Sequence, residues 1–380
     1  MKNKIAIIGA GVGGLTLANL LGKDPNFELM IYEREETLRL DEGFGVQLAV
    51  NSVSILNEIG FDKINQTEIF NPQRLEFYSN DKKICGLDLT QFNIDSEKYT
   101  TLKRSALLKF LKDKLFSNIF RFNKSLEKIE TINDKIKISF TDGIEDEVDY
   151  LVVSDGVFSK TKSLIEGKDY SPIYIGSKAF RITMPKDKVK IFDSNNINIS
   201  MKPNAHLVIY PINQKTCNVV MITRCNTALS KKLEDISFAK SFIKKIFNLS
   251  SEFDEYINDD LKHWSLYSSK NPVLPKINNV FYLGDAFYTF LPSMAQGAAQ
   301  SIEAAKELFE ILNNTNKNKS EEYFNQRAER TKLINSRSNF NYFAFHFSNT
   351  LFVYFRNLIL KRLIKKSKFV DNYLGRVFRK

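Results

Sequence analysis

The chain has 380 residues, 43% of them apolar and 26% charged, with a formal net charge of +11. That length holds one large domain or two to three smaller ones, and the apolar share is enough to bury a core. Three cysteines and three histidines, all far apart, exclude a disulfide framework and offer no zinc-ligand spacing, so no metal is expected.

The charge is uneven. From Arg356 to Lys380 there are nine basic residues and one acid, Asp371, a local +8 that leaves about +3 for the rest. Such a local basic tail argues against a general nucleic-acid surface. The amino terminus, MKNKIAIIGAG, runs straight into a strand with no cleavable signal pattern, and the expectation is a reduced, cytoplasmic protein.

Residues 4–8, KIAII, predict a short buried strand. The turn Gly9-Ala10-Gly11-Val12-Gly13-Gly14 follows, then a helix in LTLANLLGK, then the strand FELMIY, which ends at Glu33. This is G-x-G-x-x-G in the order strand, turn, helix, strand, acid. Gly9 permits the tight turn, Gly11 lets backbone approach a pyrophosphate, and Gly14 lets helix pack on strand. Free N–H groups at the helix start favour the phosphates. Glu33 is suited to accept hydrogen bonds from an adenosine ribose.

Further along, Asp41 to Leu56 reads as a glycine-containing loop feeding a helix, and Arg104 opens the helix RSALLKFLKDKLF. Residues 134–153 predict a hairpin and a buried strand ending in Ser154-Asp155-Gly156. Residues 170–275 alternate as a half-buried antiparallel sheet, with 73–100 adding strands. The apolar run Val280 to Leu283 then stops at Gly284-Asp285. An aromatic loop follows, and Gln296-Gly297-Ala298 opens a helix in AAQSIEAAKELFEIL.

Four stretches in this order resemble the FAD-dependent aromatic hydroxylases, the single-component flavoprotein monooxygenases of the 4-hydroxybenzoate and salicylate hydroxylase type. They are GAGVGG with Glu33-Arg34, Arg104 with its helix, DGVFSKTK, and GDAFYTFLPSMAQGAAQSIEAA. The resemblance covers about residues 3–330. It implies an α/β protein: a Rossmann-like FAD-binding domain (1–72, 101–168, 276–325), a mixed β-sheet substrate domain (73–100, 169–275) and a carboxy-terminal helical basic segment (326–380).

The resemblance further implies non-covalent FAD with transient NADH or NADPH, and transfer of oxygen from a flavin hydroperoxide to a small aromatic or phenolic ring. Cofactor contacts are expected from Gly9, Gly11, Gly13, Gly14, Glu33, Arg34, Gln47, Arg104, Leu126 and Asp155. On the flavin side they are expected from Gly284, Asp285, Pro292, Gln296, Gly297 and Ala298. The strand at 280–284 is expected beside the amino-terminal unit in one sheet, with Asp285 accepting from the ribityl hydroxyls. The loop carrying Phe287 and Pro292 is expected along the flavin ring, and these two are the candidate catalytic-face residues; no catalytic base is assigned. Arg181 and Tyr210 fall where relatives have comparable residues, and equally read as ordinary strand residues. Two departures stand out: Lys162 where many relatives have Arg, and Phe287 where many have His.

A reductase, dehydrogenase or hydroxylase acting on a membrane-associated isoprenoid or quinone precursor remains a second reading, and a flavin binder without turnover a third. A flavin halogenase lacks its W-x-W-x-I-P, since Trp264 is the only tryptophan. In the tail, Phe340, Phe343, Phe347, Leu351, Tyr354 and Leu358 recur at steps of three and four and predict one helical stripe. It packs on the FAD domain or at a homodimer contact, or, with the +8 segment, meets an anionic membrane from outside. A monomer and a homodimer are both compatible with the sequence.

Overall fold

A computed structural model describes residues 2–38, 40, 43–315 and 318–379, with backbone alone for 258–260. Asp41 and Glu42, the start of the expected glycine-containing loop, lie outside the described residues.

Ile5 to Ile8 carry no polar side chain, so β1 (Asn3–Ile8) must be covered on both faces, the condition of a parallel strand. Helix α1 (Val12–Leu21) returns the chain to β2 (Phe27–Tyr32), parallel to β1. The chain then makes β3 (Gly45–Leu48), α2 (Val50–Glu58), β4 (Ile69–Phe70), the hairpin β5 (Arg74–Ser79) and β6 (Lys82–Asp88), and β7 (Thr100–Lys103). Helix α3 (Arg104–Lys112) starts at the expected arginine. Next come β8 (Phe120–Arg121), β9 (Leu126–Ile132), β10 (Lys135–Phe140), β11 (Glu145–Val148), β12 (Tyr150–Val153) and α4 (Lys160–Glu166).

The middle of the chain is β13 (Ile173–Pro185), β14 (Ile197–Lys202), β15 (Ala205–Pro211) and β16 (Thr216–Arg224). The helices α5 (Thr227–Lys232), α6 (Ile236–Phe247) and α7 (Asp254–Asp260) follow, then β17 (Lys262–Ser268) and β18 (Val280–Tyr282). Helices α8 (Gly297–Asn313), α9 (Lys319–Phe345) and α10 (Thr350–Leu363) lead to the carboxy terminus.

The parallel sheet has the order β18-β12-β1-β2-β8. β18 does share a sheet with the amino-terminal unit, but it is not adjacent to β1. β12 pairs with both and stands between them, because its own apolar run needs cover on two sides as well. Helices α1 and α8 pack on one face. The three-stranded sheet β9-β10-β11 lies over the other, where Phe140 stacks on Tyr32 at 4.5 Å.

The second sheet is mixed: β17-β13-β16-β15-β14-β5-β6, antiparallel except for β14 on β5. Its side chains alternate with period two. Phe180, Ile182, Val219 and Met221 join the core under α5–α7, whereas Ala179, Val220 and Ile222 face the opposite way, toward the rest of the molecule.

Helix α9 is clamped to α8 by buried charges. Arg327 reaches Glu303 at 3.1 Å and Glu307 at 3.0 Å, and Arg330 reaches Glu303 at 2.6 Å. The single stripe expected from Phe340 to Leu358 is two helices. α9 ends at Phe345, and Asn349 caps α10 by accepting from the Leu351 N–H at 2.9 Å. Apolar spacing runs on through Ser348-Asn349-Thr350, but a capping side chain there offers the backbone a helix start and wins. The last residues pack inward: Val377 and Phe378 are buried, with Phe378 edge-on to Phe92 at 5.2 Å.

Candidate active site

At the first loop, sterics dictate glycine. Gly9 has φ +100°, and a Cβ there would stand 2.6 Å from the Ser154 carbonyl oxygen. A Cβ on Gly14 would stand 2.4 Å from the Gly9 oxygen, so this residue fixes how closely α1 approaches the strand–helix turn. Around Gly11 the nearest atom to such a Cβ is 3.9 Å away, which leaves room for a ligand against the backbone. Gly13 differs: its Cβ position lies 3.3 Å from the Leu283 side chain, so it serves the packing of α1 against the end of β18.

Glu33 lies at this loop. One carboxylate oxygen accepts from the Ala10 N–H at 2.8 Å and the other from the Glu35 N–H at 3.2 Å. Its remaining lone pairs can accept from a diol beside the loop. Arg34 points outward and pairs with Glu35 at 3.4 Å. Leu126 packs on the main core, two residues past Lys124, whose N–H binds the Glu33 carbonyl at 2.9 Å. Asp155 accepts from the Thr161 N–H at 3.3 Å through one oxygen, while its other oxygen is buried with no partner among the described residues.

At the far end of the sheet, β18 runs into Gly284, φ +63°, and a short turn places Asp285. Asp285 is exposed, and the surface it presents opens onto a cavity. Desolvation pushes its carboxyl up to about 6, and Arg104 pulls the other way. The turn is pinned from below by Lys162, whose ammonium donates to the Ala286 carbonyl at 3.0 Å and the Phe287 carbonyl at 3.4 Å. Burial lowers that lysine to about 8. The sequence marked Lys162 only as a departure from Arg; its contact with the turn is a long-range one that no local signal announces.

The loop divides its residues between two sides. Phe287 is buried against Tyr323 and Phe324, each at 6.1 Å, so it belongs to the core under α9. Thr289 to Ala298, Pro292 among them, line the cavity instead. The start of α8 opens onto it too: no atom lies within 4 Å of a Cβ built on Gly297, and the buried Gln296 side-chain nitrogen has no partner among the described residues.

The cavity measures about 610 Å³. At its polar end stand Gln47, Tyr99, Arg181 and Tyr210. Tyr99 donates to Gln47 at 2.8 Å. Burial pushes the Tyr210 phenol up to about 12, against the pull of Arg181. Arg181 lies over Trp264 at 4.9 Å, and burial lowers its pKa. Arg181 and Tyr210 are thus cavity residues. No local sequence signal marks Tyr99 as the partner of Gln47, because the stretch around it reads as ordinary strand sequence. His206 is buried, bonds His346 at 2.9 Å, and is held well below its ordinary pKa by desolvation; it is a core histidine at the cavity wall. The rest of the cavity is an apolar arm between Leu75, Phe77, Ile199, Met201, Phe345 and Leu360.

These features fit an FAD spanning the sheet. An open glycine loop and an acid would take the adenosine half, Asp285 the ribityl hydroxyls, and the open start of α8 the flavin pyrimidine, where its N–H groups favour negative charge.

Comparison with known proteins agrees with this geometry. A family model described as FAD binding domain matches residues 2–335. The chain is 25% identical over 338 residues to 6-hydroxynicotinate 3-monooxygenase of Bordetella bronchiseptica, covering 83% of this chain and 84% of that protein. It is 25% identical over 324 residues to 3-amino-4-hydroxybenzoate 2-monooxygenase of Streptomyces cremeus, with coverage of 81% and 78%. In fold it is similar to Klebsiella pneumoniae HpxO complexed with FAD and uric acid, with a TM-score of 0.85 at 17% identity, covering 99% of this chain and 96% of that one.

Proposed function

The chain belongs to the FAD binding domain family and is an FAD-dependent monooxygenase of the aromatic hydroxylase kind; on that premise we propose that it hydroxylates a small aromatic or phenolic ring at the expense of NADH or NADPH. The observation that carries the reading is a shared cavity. Asp285 and the open start of α8 face the same cavity as Gln47, Arg181 and Tyr210. A flavin held by the first pair therefore presents its ring to whatever the second group orients.

When bound, FAD supplies the electron transfer and oxygen activation. The chain's own residues bind, orient and exclude water. Gly9, Gly11 and Gly14 shape the loop for the pyrophosphate, and Glu33 takes the ribose hydroxyls. Asp155, Gln296, Gly297 and Ala298 offer further polar contacts, with Arg104 balancing the charge on Asp285. Phe290, Leu291 and Pro292 wall one side of the cavity, which keeps bulk water from the reacting ring. The Tyr99–Gln47 pair gives a substrate hydroxyl a hydrogen-bonding partner that can orient it. We also propose the division into an FAD-binding part (1–72, 101–168, 276–325), a sheet part (73–100, 169–275) and a tail. Because α9 runs unbroken from Lys319 to Phe345, the tail is continuous with the FAD-binding part.

The test is simple to state. The purified protein should carry one FAD, bleach on anaerobic addition of NADH or NADPH, and consume the nucleotide faster when a hydroxylated aromatic acid or phenol is added. A preparation that binds no FAD, or one whose bound FAD no nicotinamide reduces, contradicts the reading. A second reading, a substrate ring belonging to an isoprenoid or quinone precursor held in a membrane, is favoured by the apolar arm of the cavity.

A further inference from the structure

The apolar arm ends at a patch of surface. Phe340, Phe343, Leu351, Phe352, Tyr354 and Phe355 stand 48–62% exposed on the last turns of α9 and on α10. Side chains of this size stabilise a fold by burial, and a cluster of them left in water marks a contact site. Three of the six, Phe340, Phe352 and Phe355, also line the cavity, so the arm opens within the patch.

The helix is held in place to present this face. Arg356, buried, donates to the Ala344 carbonyl at 3.1 Å and to the Ser79 hydroxyl at 3.0 Å, tying α10 to α9 and to the second sheet. Beyond it, Lys361, Arg362, Lys365, Lys366 and Lys368 are exposed. Between Phe340 and Val370 the chain has no acid at all.

That charge decides between occupants. A second copy of the chain joined by a two-fold axis would set this patch against itself and bring like charges together. An anionic bilayer meets both halves of it: aromatic and aliphatic side chains enter the headgroup boundary, and the lysines face the phosphates. Among the described residues no helix is long and apolar enough to cross a membrane, so the contact is lateral.

We propose that α10 and the end of α9 dock on an anionic lipid bilayer, and that the cavity mouth between them admits from it an aromatic ring carrying an apolar chain. This deepens the monooxygenase reading and rests on it for the ring, while the docking rests on the surface alone. The ring would reach the polar end near Gln47 and Tyr210, and the chain would lie in the arm between Phe77, Ile199 and Leu360.

The experiment uses the full chain loaded with FAD. It is sedimented at low salt with vesicles of phosphatidylcholine alone and of phosphatidylcholine mixed with phosphatidylglycerol. Binding is expected only to the mixed vesicles. It should fall roughly tenfold or more in Lys365→Glu/Lys366→Glu, since each basic residue near the surface contributes about 1 kcal/mol, and should be lost in Leu351→Glu/Tyr354→Glu. Both pairs are exposed, and FAD content and flavin reduction by NADH should be unchanged in them.

On the same preparations, a phenol bearing a long alkyl chain should stimulate NADH oxidation more strongly than the short phenol when vesicles are present. Reduction of the flavin without vesicle binding, or with no preference for the alkylated ring, overturns this inference and leaves the monooxygenase reading standing. A flavin that neither NADH nor NADPH can reduce defeats that reading and the substrate half of this one, while sedimentation still judges the docking. Dimers broken by Leu351→Glu/Tyr354→Glu, with no vesicle binding, assign the face to a second copy and overturn the proposal.

Discussion

The two ends of the site are built by opposite means. The nucleotide end is made of backbone: a glycine turn, a helix start and one acid, all within residues 9–33, where a Cβ on Gly9 or Gly14 would collide and Glu33 holds the Ala10 N–H. The substrate end is made of side chains from several distant segments, β5, β14, β15 and the ends of α9 and α10, with no required residue type at any one position. Where geometry must be met by backbone, the residue choice collapses to glycine. Where only volume and polarity must be met, many residues serve.

The largest effect should come from breaking the nucleotide end. In Gly14→Val the added carbons meet the Gly9 carbonyl, 2.4 Å from the Cβ position, and backbone cannot step aside as a flexible side chain can. We expect a loss at or above the usual overpacking cost of about 1–3 kcal/mol and no FAD retained on purification, read by the ratio of flavin to protein absorbance and by melting temperature. Glu33→Ala is next. It removes a charge-assisted acceptor worth about 1.5–3 kcal/mol, so the FAD dissociation constant should rise roughly tenfold or more. A titration with unchanged affinity would show that the ribose lies elsewhere.

Asp285, where the two ends meet, should give a smaller and pH-dependent effect. Its carboxyl is raised from an ordinary 3.8 to about 6 in the folded protein. Between those values the native state holds the proton and the unfolded state does not, so its contribution to stability is present below pH 4 and is lost as pH rises through 6. Ribityl hydroxyls donate best to the ionised form. FAD affinity of the wild type should therefore improve as pH rises through about 6, with each hydrogen bond contributing about 0.5–1.5 kcal/mol. In Asp285→Asn the affinity should be weaker above pH 6 and free of that pH step. A wild-type profile without the step would remove Asp285 from the ribityl contact. The smallest effect on the cofactor should come from the substrate end. Ile199→Phe narrows the apolar arm, and FAD affinity should stay unchanged while the benefit of an alkyl chain on the substrate declines. A fall in FAD affinity there would erase the contrast between the ends.

The same contrast explains what could be read in advance. The Rossmann-like order, the helix at Arg104, the alternating sheet and the acid at the end of β18 all carry local signatures: glycine spacing, period two, an apolar run closed by Gly-Asp. Phe287 illustrates the limit. Its loop was legible as aromatic, but the division between core and cavity depends on α9, more than thirty residues away: Phe287 packs into the core while Asp285 and Thr289 onward face the cavity. Lys162 is legible as a cation and not as the support of the Asp285 turn, because its partners are carbonyls that any sequence possesses. The break between α9 and α10 had a signal in Asn349, a residue suited to cap a helix, which the uninterrupted aromatic spacing obscured.

The central claim is that the cavity joins a bound flavin to an aromatic ring that receives oxygen. The most direct measurement supplies the purified protein with FAD, NADH or NADPH, isotopically heavy O₂ and a panel of hydroxylated aromatic acids and phenols with and without alkyl chains, and weighs the products. The account predicts a hydroxylated ring containing one heavy oxygen atom, formed in step with nucleotide oxidation. Nucleotide oxidation that yields only hydrogen peroxide across the panel, or a product whose new oxygen comes from water, would contradict it.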